Sequence, residues 1–184
     1  MKAWEVVKSR YLLQRWWMSL REDHVRLPGG AEMPEFHVVE YPDWSCVVCF
    51  DEKGRVVIVE QYRHGIGRSS MELPAGAADP GEDPLTAAKR ELREETGYEA
   101  EEWAYLGRCA PEPSKHTNYA HLYVARGGRR NHEQQLDHGE EIRVHLVEPA
   151  EVLRLVEEGD LVHGIHLAAL FWAHYRGFFL ADLD

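Results

Sequence analysis

Glu91 and Glu95 stand four residues apart in the stretch GAADPGEDPLTAAKRELREETGY, 76–98. On a helix, residues at i and i+4 project from one face, so this spacing sets two carboxylates side by side. Such a pair repels itself in water. A cation between the two groups stabilises both, and hard oxygen ligands select Mg2+ or Mn2+. Glu94 lies one residue round the helix from Glu95 and reaches the edge of the same cluster. Arg90 and Glu94 are again i and i+4, a spacing that allows an ion pair to fix this face. Leu85, Ala88 and Leu92 make the opposite, apolar face. The helix alone reads equally as a solvated Glu-rich surface laced with i,i+4 pairs. The residues upstream change that balance.

Gly76 is followed by five residues and Glu82, then by seven residues and Arg90-Glu91-Leu92-Arg93-Glu94-Glu95-Thr96-Gly97-Tyr98. This stretch resembles the Nudix box, G-x5-E-x7-R-E-U-x-E-E-x-G-U with U a bulky apolar residue, and every fixed letter is present. Tyr98 at the last apolar position is a mild departure that bears on packing more than on chemistry. The resemblance implies a loop–helix–loop that holds divalent metal on a nucleoside diphosphate linked to a further group. It implies Glu91 and Glu95 as the principal metal ligands and Glu94 as an added one. Glu82 would support the site or share a second metal through water, and Arg90 would orient the carboxylates. The physical reading agrees. A pyrophosphate and this helix are both densely negative, so only metal ions between them make binding favourable. The same ions polarise the P–O bond and lower the pKa of a bound water. The reaction class is metal-assisted hydrolysis of a phosphoanhydride.

The likeness extends upstream. Val59-Glu60-Gln61-Tyr62-Arg63 and Glu72-Leu73-Pro74-Ala75-Gly76 resemble the ADP-ribose and nucleoside-diphosphate-sugar pyrophosphatases of that family. By this resemblance Arg63 contacts the substrate's phosphates or sugar, a task suited to a bidentate guanidinium. Glu72 holds a metal-bound water or caps its loop, and the carbonyl of Ala75 is a backbone metal ligand. Pro113, fifteen residues past Tyr98, occupies the position associated with ADP-ribose preference. Its surroundings, Pro111-Glu112-Pro113-Ser114-Lys115-His116-Thr117-Asn118, are not the usual Ser-Pro-Gly. The acidic run Leu136-Asp137-His138-Gly139-Glu140-Glu141-Ile142 resembles the loop that supplies a catalytic base. Glu140 is the candidate, with Glu141 and Glu133 as competitors; a base needs reach before it needs a tuned pKa. The implied activity is Mg2+-dependent cleavage (Mn2+ as an alternative) of ADP-ribose or a related nucleoside diphosphate sugar. The products are a nucleoside monophosphate and a sugar phosphate. GDP-mannose or another nucleotide sugar is the alternative substrate. A non-catalytic nucleotide-binding module would show Glu91 or Glu95 replaced, and both stand.

The elements that must position these residues follow from pattern. Strands are expected at Ser45–Phe50 and Arg55–Tyr62, joined as a hairpin by Asp51-Glu52-Lys53-Gly54. A helix is expected from Pro84 to Thr96 with Gly97 at its C′ position. Strands follow at Trp103–Cys109 and Tyr119–Ala125, then a polar, structureless Gly127–Glu141, a strand at Ile142–Val147, a helix from Pro149 to about Glu158, and a last helix over Val162–Tyr175. The class is α+β. The resemblance makes it an α/β/α sandwich with a mixed sheet, occupying 42–184. Residues 1–41, with strands at Trp16–Arg26 and Glu35–Tyr41, form a small N-terminal antiparallel sheet. In the resembled subfamily such a sheet is exchanged between partners, giving a homodimer, and Trp16, Trp17 and Trp44 are candidates for dimer contacts or for stacking on a base.

Composition bounds the rest. At 184 residues, 44% apolar and 29% charged, the chain has the profile of a globular protein of one domain, or of one domain with a small appendage. The net charge of −11 excludes the basic face that duplex nucleic acid needs. Three cysteines make no disulfide framework and fit a reduced, cytoplasmic protein. Cys46 and Cys49 would face opposite sides of one strand and pack rather than bind metal. No long apolar run starts the chain, and His166, His174 and Arg176 interrupt the apolar stretch Gly164–Ala181, which reads as a core helix rather than a membrane span. His163 and His166 read as packing or capping groups.

Overall fold

A computed structural model describes residues 1–178. The end of the apolar stretch at 179–181 and the last residues of the 42–184 segment lie outside the described residues. The chain divides into two compact units, Met1–Pro42 with Ala110–Tyr119, and Asp43–Cys109 with the chain from Ala120 onward. No helix among the described residues is long and apolar enough to cross a membrane.

The first unit is an antiparallel meander of β1 (Glu5–Gln14), β2 (Ser19–Arg26) and β3 (Glu32–Glu40). Sequence reading expected two strands here and missed β1. The reason is visible in the register. β1 slips against β2 between Val6 and Lys8 and again between Tyr11 and Leu13. Each slip breaks the period of two that marks a strand, leaving adjacent apolar residues where alternation would place a polar one. Cross-strand pairs such as Arg10–Glu22 and Arg26–Glu32 lace the sheet. The Ala110–Tyr119 segment joins this unit through Val39 N–H to the Lys115 carbonyl (2.9 Å) and Thr117 N–H to the Val39 carbonyl (3.2 Å).

The second unit is a mixed sheet between two helical layers. Its path runs β11 (Ile142–Val147), β5 (Val56–Arg63), β4 (Trp44–Asp51), β10 (Ala120–Arg130) and β8 (Tyr98–Glu99), with β6 (Arg68–Glu72) on β5, β7 (Ala75–Ala77) on β4 and β9 (Glu102–Cys109) on β10. β4 and β10 are parallel. β4 is buried on both faces, as a near-continuous apolar central strand should be. Cys46, Val48 and Phe50 face the core under α2 (Pro149–Glu157) and α3 (Gly164–Tyr175). Val47 and Cys49 face the core under α1 (Pro84–Thr96), completed by Ala88 and Leu92. The two cysteines therefore pack on opposite faces, and burial pushes both thiols up, Cys49 to about 12.

Two expectations need correction. β4 and β5 are not a full hairpin, because they pair only at Phe50 and Val56 and then part. β6 and β7 fill the fork, one on each arm. Neither was foreseen: Arg68-Ser69-Ser70-Met71-Glu72 and Ala75-Gly76-Ala77 are short and lack apolar alternation. Residues 127–130, expected as loop, continue β10, with Arg129 and Arg130 paired to Glu99 and Tyr98. Pairing supplies there what local pattern does not.

α1 starts and stops by local chemistry. Asp83 caps it, its Oδ1 accepting from Leu85 N–H (3.0 Å) and Thr86 N–H (3.2 Å), and Pro84 opens the first turn. Gly97 ends it at φ 75°, in the left-handed region. A methyl there would also collide with the His132 carbonyl. Gly97→Ala is accordingly expected to destabilise the protein by about 2 kcal/mol or more, measured by urea unfolding.

Candidate active site

Arg90 is the hub of the α1 face. Its Nε donates to Glu82 Oε1 (3.0 Å), its Nη1 to Glu91 Oε1 (2.7 Å) and Glu94 Oε2 (3.0 Å), and its Nη2 to Glu82 Oε2 (3.0 Å) and the Ala77 carbonyl (2.9 Å). One guanidinium thus gathers three carboxylates and ties the helix to the end of β7. Its hydrogen bonds hold the Glu82 carboxyl below the usual range. Glu82 also accepts from Asp79 N–H, closing the loop before α1.

Glu95 points inward, where it is 5% exposed and its Oε2 accepts from Ala75 N–H at 3.0 Å. Burial, with Glu91 next, pushes its carboxyl well above the usual value. Glu91 is raised to about 7, again by burial first, against the opposing pull of Arg90. The Glu91 carboxylate lies against Gly76, where a methyl would collide with it. Glycine at 76 is therefore required by close approach of a side chain to the backbone.

Arg63 and Glu72 form a two-pronged pair, Nε to Oε1 at 2.8 Å and Nη2 to Oε2 at 2.5 Å, with Glu72 only 1% exposed. The pair crosses from β5 to the end of β6. Glu140 sits at the turn of the 131–141 loop, its Oε2 accepting from Asp137 N–H. Its charge acts on Glu91, Glu95 and Arg63 together. The loop is pinned to the end of α1 by Gln134 Nε2 to the Glu95 carbonyl (2.7 Å) and Gln135 N–H to the Glu94 carbonyl (2.8 Å).

The structure therefore brings Glu82, Arg90, Glu91 and Glu94 into one network, seats Glu95 on Ala75, and couples Arg63 to Glu72. Pro113 is exposed in the 110–119 segment, which packs with the N-terminal unit. Trp44 stacks on His163, while Trp16 and Trp17 are exposed. Among the described residues one group of three ligand residues lies within 4.8 Å: Glu22, Glu35 and His37, on the surface of the N-terminal unit. Glu91, Glu94 and Glu95 do not converge that closely, because Arg90 takes two of the three. Their all-oxygen donor set still suits a divalent cation. Two carboxylates that burial and mutual repulsion raise so far are neutralised by a proton or by a metal.

Sequence reasoning missed two supports. One is the glutamine pair of the loop. The other is His166, wholly buried, whose Nδ1 accepts from Leu73 N–H at 3.2 Å. Burial first, then His163 and Arg63, hold this imidazole well below its usual pKa. The spacing of His163 and His166 was visible, but the partner of His166 lies 93 residues away.

Comparison with known proteins bears on both units. Residues 41–168 match the NUDIX domain family, and residues 4–39 match the nucleoside diphosphate sugar hydrolase N-terminal domain. An ADP-ribose pyrophosphatase of Mycobacterium tuberculosis is 35% identical over 172 residues, covering 92% of this chain and 83% of that protein. A methanol dehydrogenase activator of Bacillus methanolicus is 33% identical over 155 residues, covering 84% of this chain and 83% of that one. A crystal structure of an ADP compounds hydrolase superposes with a TM-score of 0.83 at 19% identity, over 97% of this chain and 98% of that one, and so shares the fold.

The raised carboxyls make stability depend on pH and metal together. Between the unfolded Glu value of 4.5 and the folded value of about 7, Glu91 binds a proton that the unfolded chain has released. Its contribution is full below pH 4.5 and is lost as pH rises through 7, a loss of about 3 kcal/mol. In EDTA the melting temperature is expected to fall as pH rises across that window. Mg2+ should restore it more at pH 8 than at pH 5.5, since a metal needs the ionised carboxylates. Equal Mg2+ effects at both pH values would detach Glu91 from any cation site.

Proposed function

Because the chain belongs to the NUDIX domain family, we propose that it is a divalent-metal-dependent pyrophosphatase that cleaves ADP-ribose, or a closely related nucleoside diphosphate sugar. The products are a nucleoside monophosphate and a sugar phosphate. The observation that carries this reading is the pair of carboxylates on one helix face, Glu91 and Glu95, both raised by burial and both within the influence of Glu140. The names of the relatives, ADP-ribose pyrophosphatase in M. tuberculosis and in Bacillus subtilis, support the substrate class.

In this reading Glu91 and Glu95 hold Mg2+ or Mn2+, with Glu94, Glu82 and the Ala75 carbonyl as further oxygen ligands. The bound ion supplies Lewis acidity toward phosphate oxygens and a water of lowered pKa. Arg90 orients the carboxylates by the bonds described above. Arg63 uses Nε and Nη2 on Glu72 and keeps Nη1 for a phosphate oxygen. Glu140 takes the proton of the water that attacks phosphorus, its loop anchored by Gln134 and Gln135 so that the turn alone needs to move. Pro113 stays with the substrate-binding set on the strength of the resemblance.

We also assign the N-terminal sheet of residues 1–41 to a homodimer interface. β1 is almost wholly exposed, with Val6, Val7, Tyr11 and Leu12, and Trp4 just before the strand, open to solvent. Apolar side chains on a long strand mark a contact surface. The three thiols free of disulfides and the net charge of −11 support a cytoplasmic enzyme acting on a small anionic substrate rather than on nucleic acid.

Turnover of ADP-ribose, GDP-mannose, UDP-glucose and NADH with Mg2+ or EDTA tests the substrate reading. ADP-ribose is expected to lead, and Glu95→Gln to lower kcat by about 100-fold or more. A different leading sugar would move the specificity and leave the mechanism standing. Arg63→Ala is expected to raise KM for the same substrate; an unchanged KM would remove Arg63 from substrate binding. Leu12→Glu is expected to shift the protein from dimer to monomer in light scattering, and a dimer that persists with full stability would refute the interface.

A further inference from the structure

Leu73 and Pro74 cross the fork between the end of β6 and the start of β7, outside both strands. Pro74 has no N–H, and its carbonyl accepts from Val47 N–H at 3.1 Å. Ala75 N–H is taken by Glu95. Leu73, 1% exposed, would hold a buried, unpaired donor if His166 did not face it. We infer that His166 is a positioning residue for the hydrolytic site, fixing through its Nδ1 the segment that carries both the Arg63 clamp and the Glu95 anchor. The inference rests on the proposed hydrolysis, and it names a residue outside the metal and substrate ligands proposed above.

Packing alone does not account for a ring in this place. α3 is strongly apolar there, with Ile165, Ala169, Leu170 and Ala173 in the core around it. An acceptor at Nδ1 puts the proton of the neutral imidazole on Nε2. That Nε2 is buried and has no hydrogen-bond partner among the described residues, and the same holds for His163 Nδ1. A buried polar atom without a partner destabilises the fold, and leucine would avoid it. What leucine lacks is the acceptor toward Leu73. The ring is also held in orientation. His163 stacks on it at 4.2 Å with the planes 16° apart, and Trp44 of β4 stacks on His163 at 5.8 Å and 17°. Glu72 Oε2 lies 3.9 Å from the same Nδ1, so one imidazole edge borders both the amide and the carboxylate that holds Arg63. Displacing this segment shifts Glu72 and Ala75 together, and with them a substrate contact and a metal ligand. Misplacement of about 1 Å in such groups costs about 100-fold in rate.

The experiment compares three variants of the full chain. His166→Asn keeps an acceptor oxygen where Nδ1 stands, His166→Gln moves it outward toward the Nε2 position, and His166→Leu removes it. For each, kcat and KM for ADP-ribose with Mg2+, Mn2+ affinity by electron paramagnetic resonance, and hydrogen exchange at the Leu73 amide are measured. The Leu and Gln variants are expected to lose about tenfold or more in kcat, raise KM, weaken Mn2+ and expose the Leu73 amide, whereas Asn stays within about threefold of the parent. A folded Leu variant with parental kinetics and Mn2+ affinity would overturn the inference. So would equal loss in the Asn and Gln variants, which would make the role one of packing alone. If the Leu variant does not fold, the contrast between Asn and Gln decides. If the parent binds Mn2+ but turns over no ADP-ribose, the hydrolytic reading fails, and Mn2+ affinity with Leu73 exchange still decides for or against His166.

Discussion

A two-residue bridge between strands governs the organisation of this site. Where β4 and β5 part, Leu73 and Pro74 link β6 to β7 across the fork, and the buried amides at this junction must find acceptors. Two side chains from opposite helical layers provide them. Glu95 of α1 takes Ala75 N–H, and His166 of α3 takes Leu73 N–H. A few residues thereby join both faces of the sandwich at the point where the chemistry is concentrated. The same constraint explains Gly76, since the Glu91 carboxylate rests where any larger residue would place its Cβ.

Electrostatics then gives the site its demand for a cation. Glu91 and Glu95 are ionised only against burial and against each other, with Glu140 adding to the repulsion. Arg90 offsets part of this, but its guanidinium is divided among Glu82, Glu91 and Glu94 and leaves Glu95 to a single amide. An acidic chain with such a cluster attracts a small divalent ion far more readily than an anion. In the proposed reaction a cation held by these carboxylates would offset their charge, which reconciles a net charge of −11 with a substrate that is itself negative.

Local features were legible before any fold was known. The spacing of Glu91 and Glu95, the pairing of Arg90 with Glu94, the Pro84 start and the Gly97 stop all depend on the 3.6-residue period and on capping chemistry within a few residues. The helix from Pro84 to Thr96 has the bounds expected of it. The strands that escaped notice are those defined by partners. β1 is disguised by two register slips, β6 and β7 are too short and polar to show a period, and the end of β10 is extended because β8 lies beside it.

The sequence by itself determined the family, the reaction class and the carboxylates on one helix face, because those follow from residue type and local spacing. Tertiary structure decided which groups hold them. It set Glu72 against Arg63, Gln134 against the end of α1, and His166 against Leu73, across separations of 9, 39 and 93 residues. Such pairings depend on where the sheet forks and which helix covers each face. No periodicity in the chain encodes that, because it follows from the register of strands that meet only when the whole unit has folded.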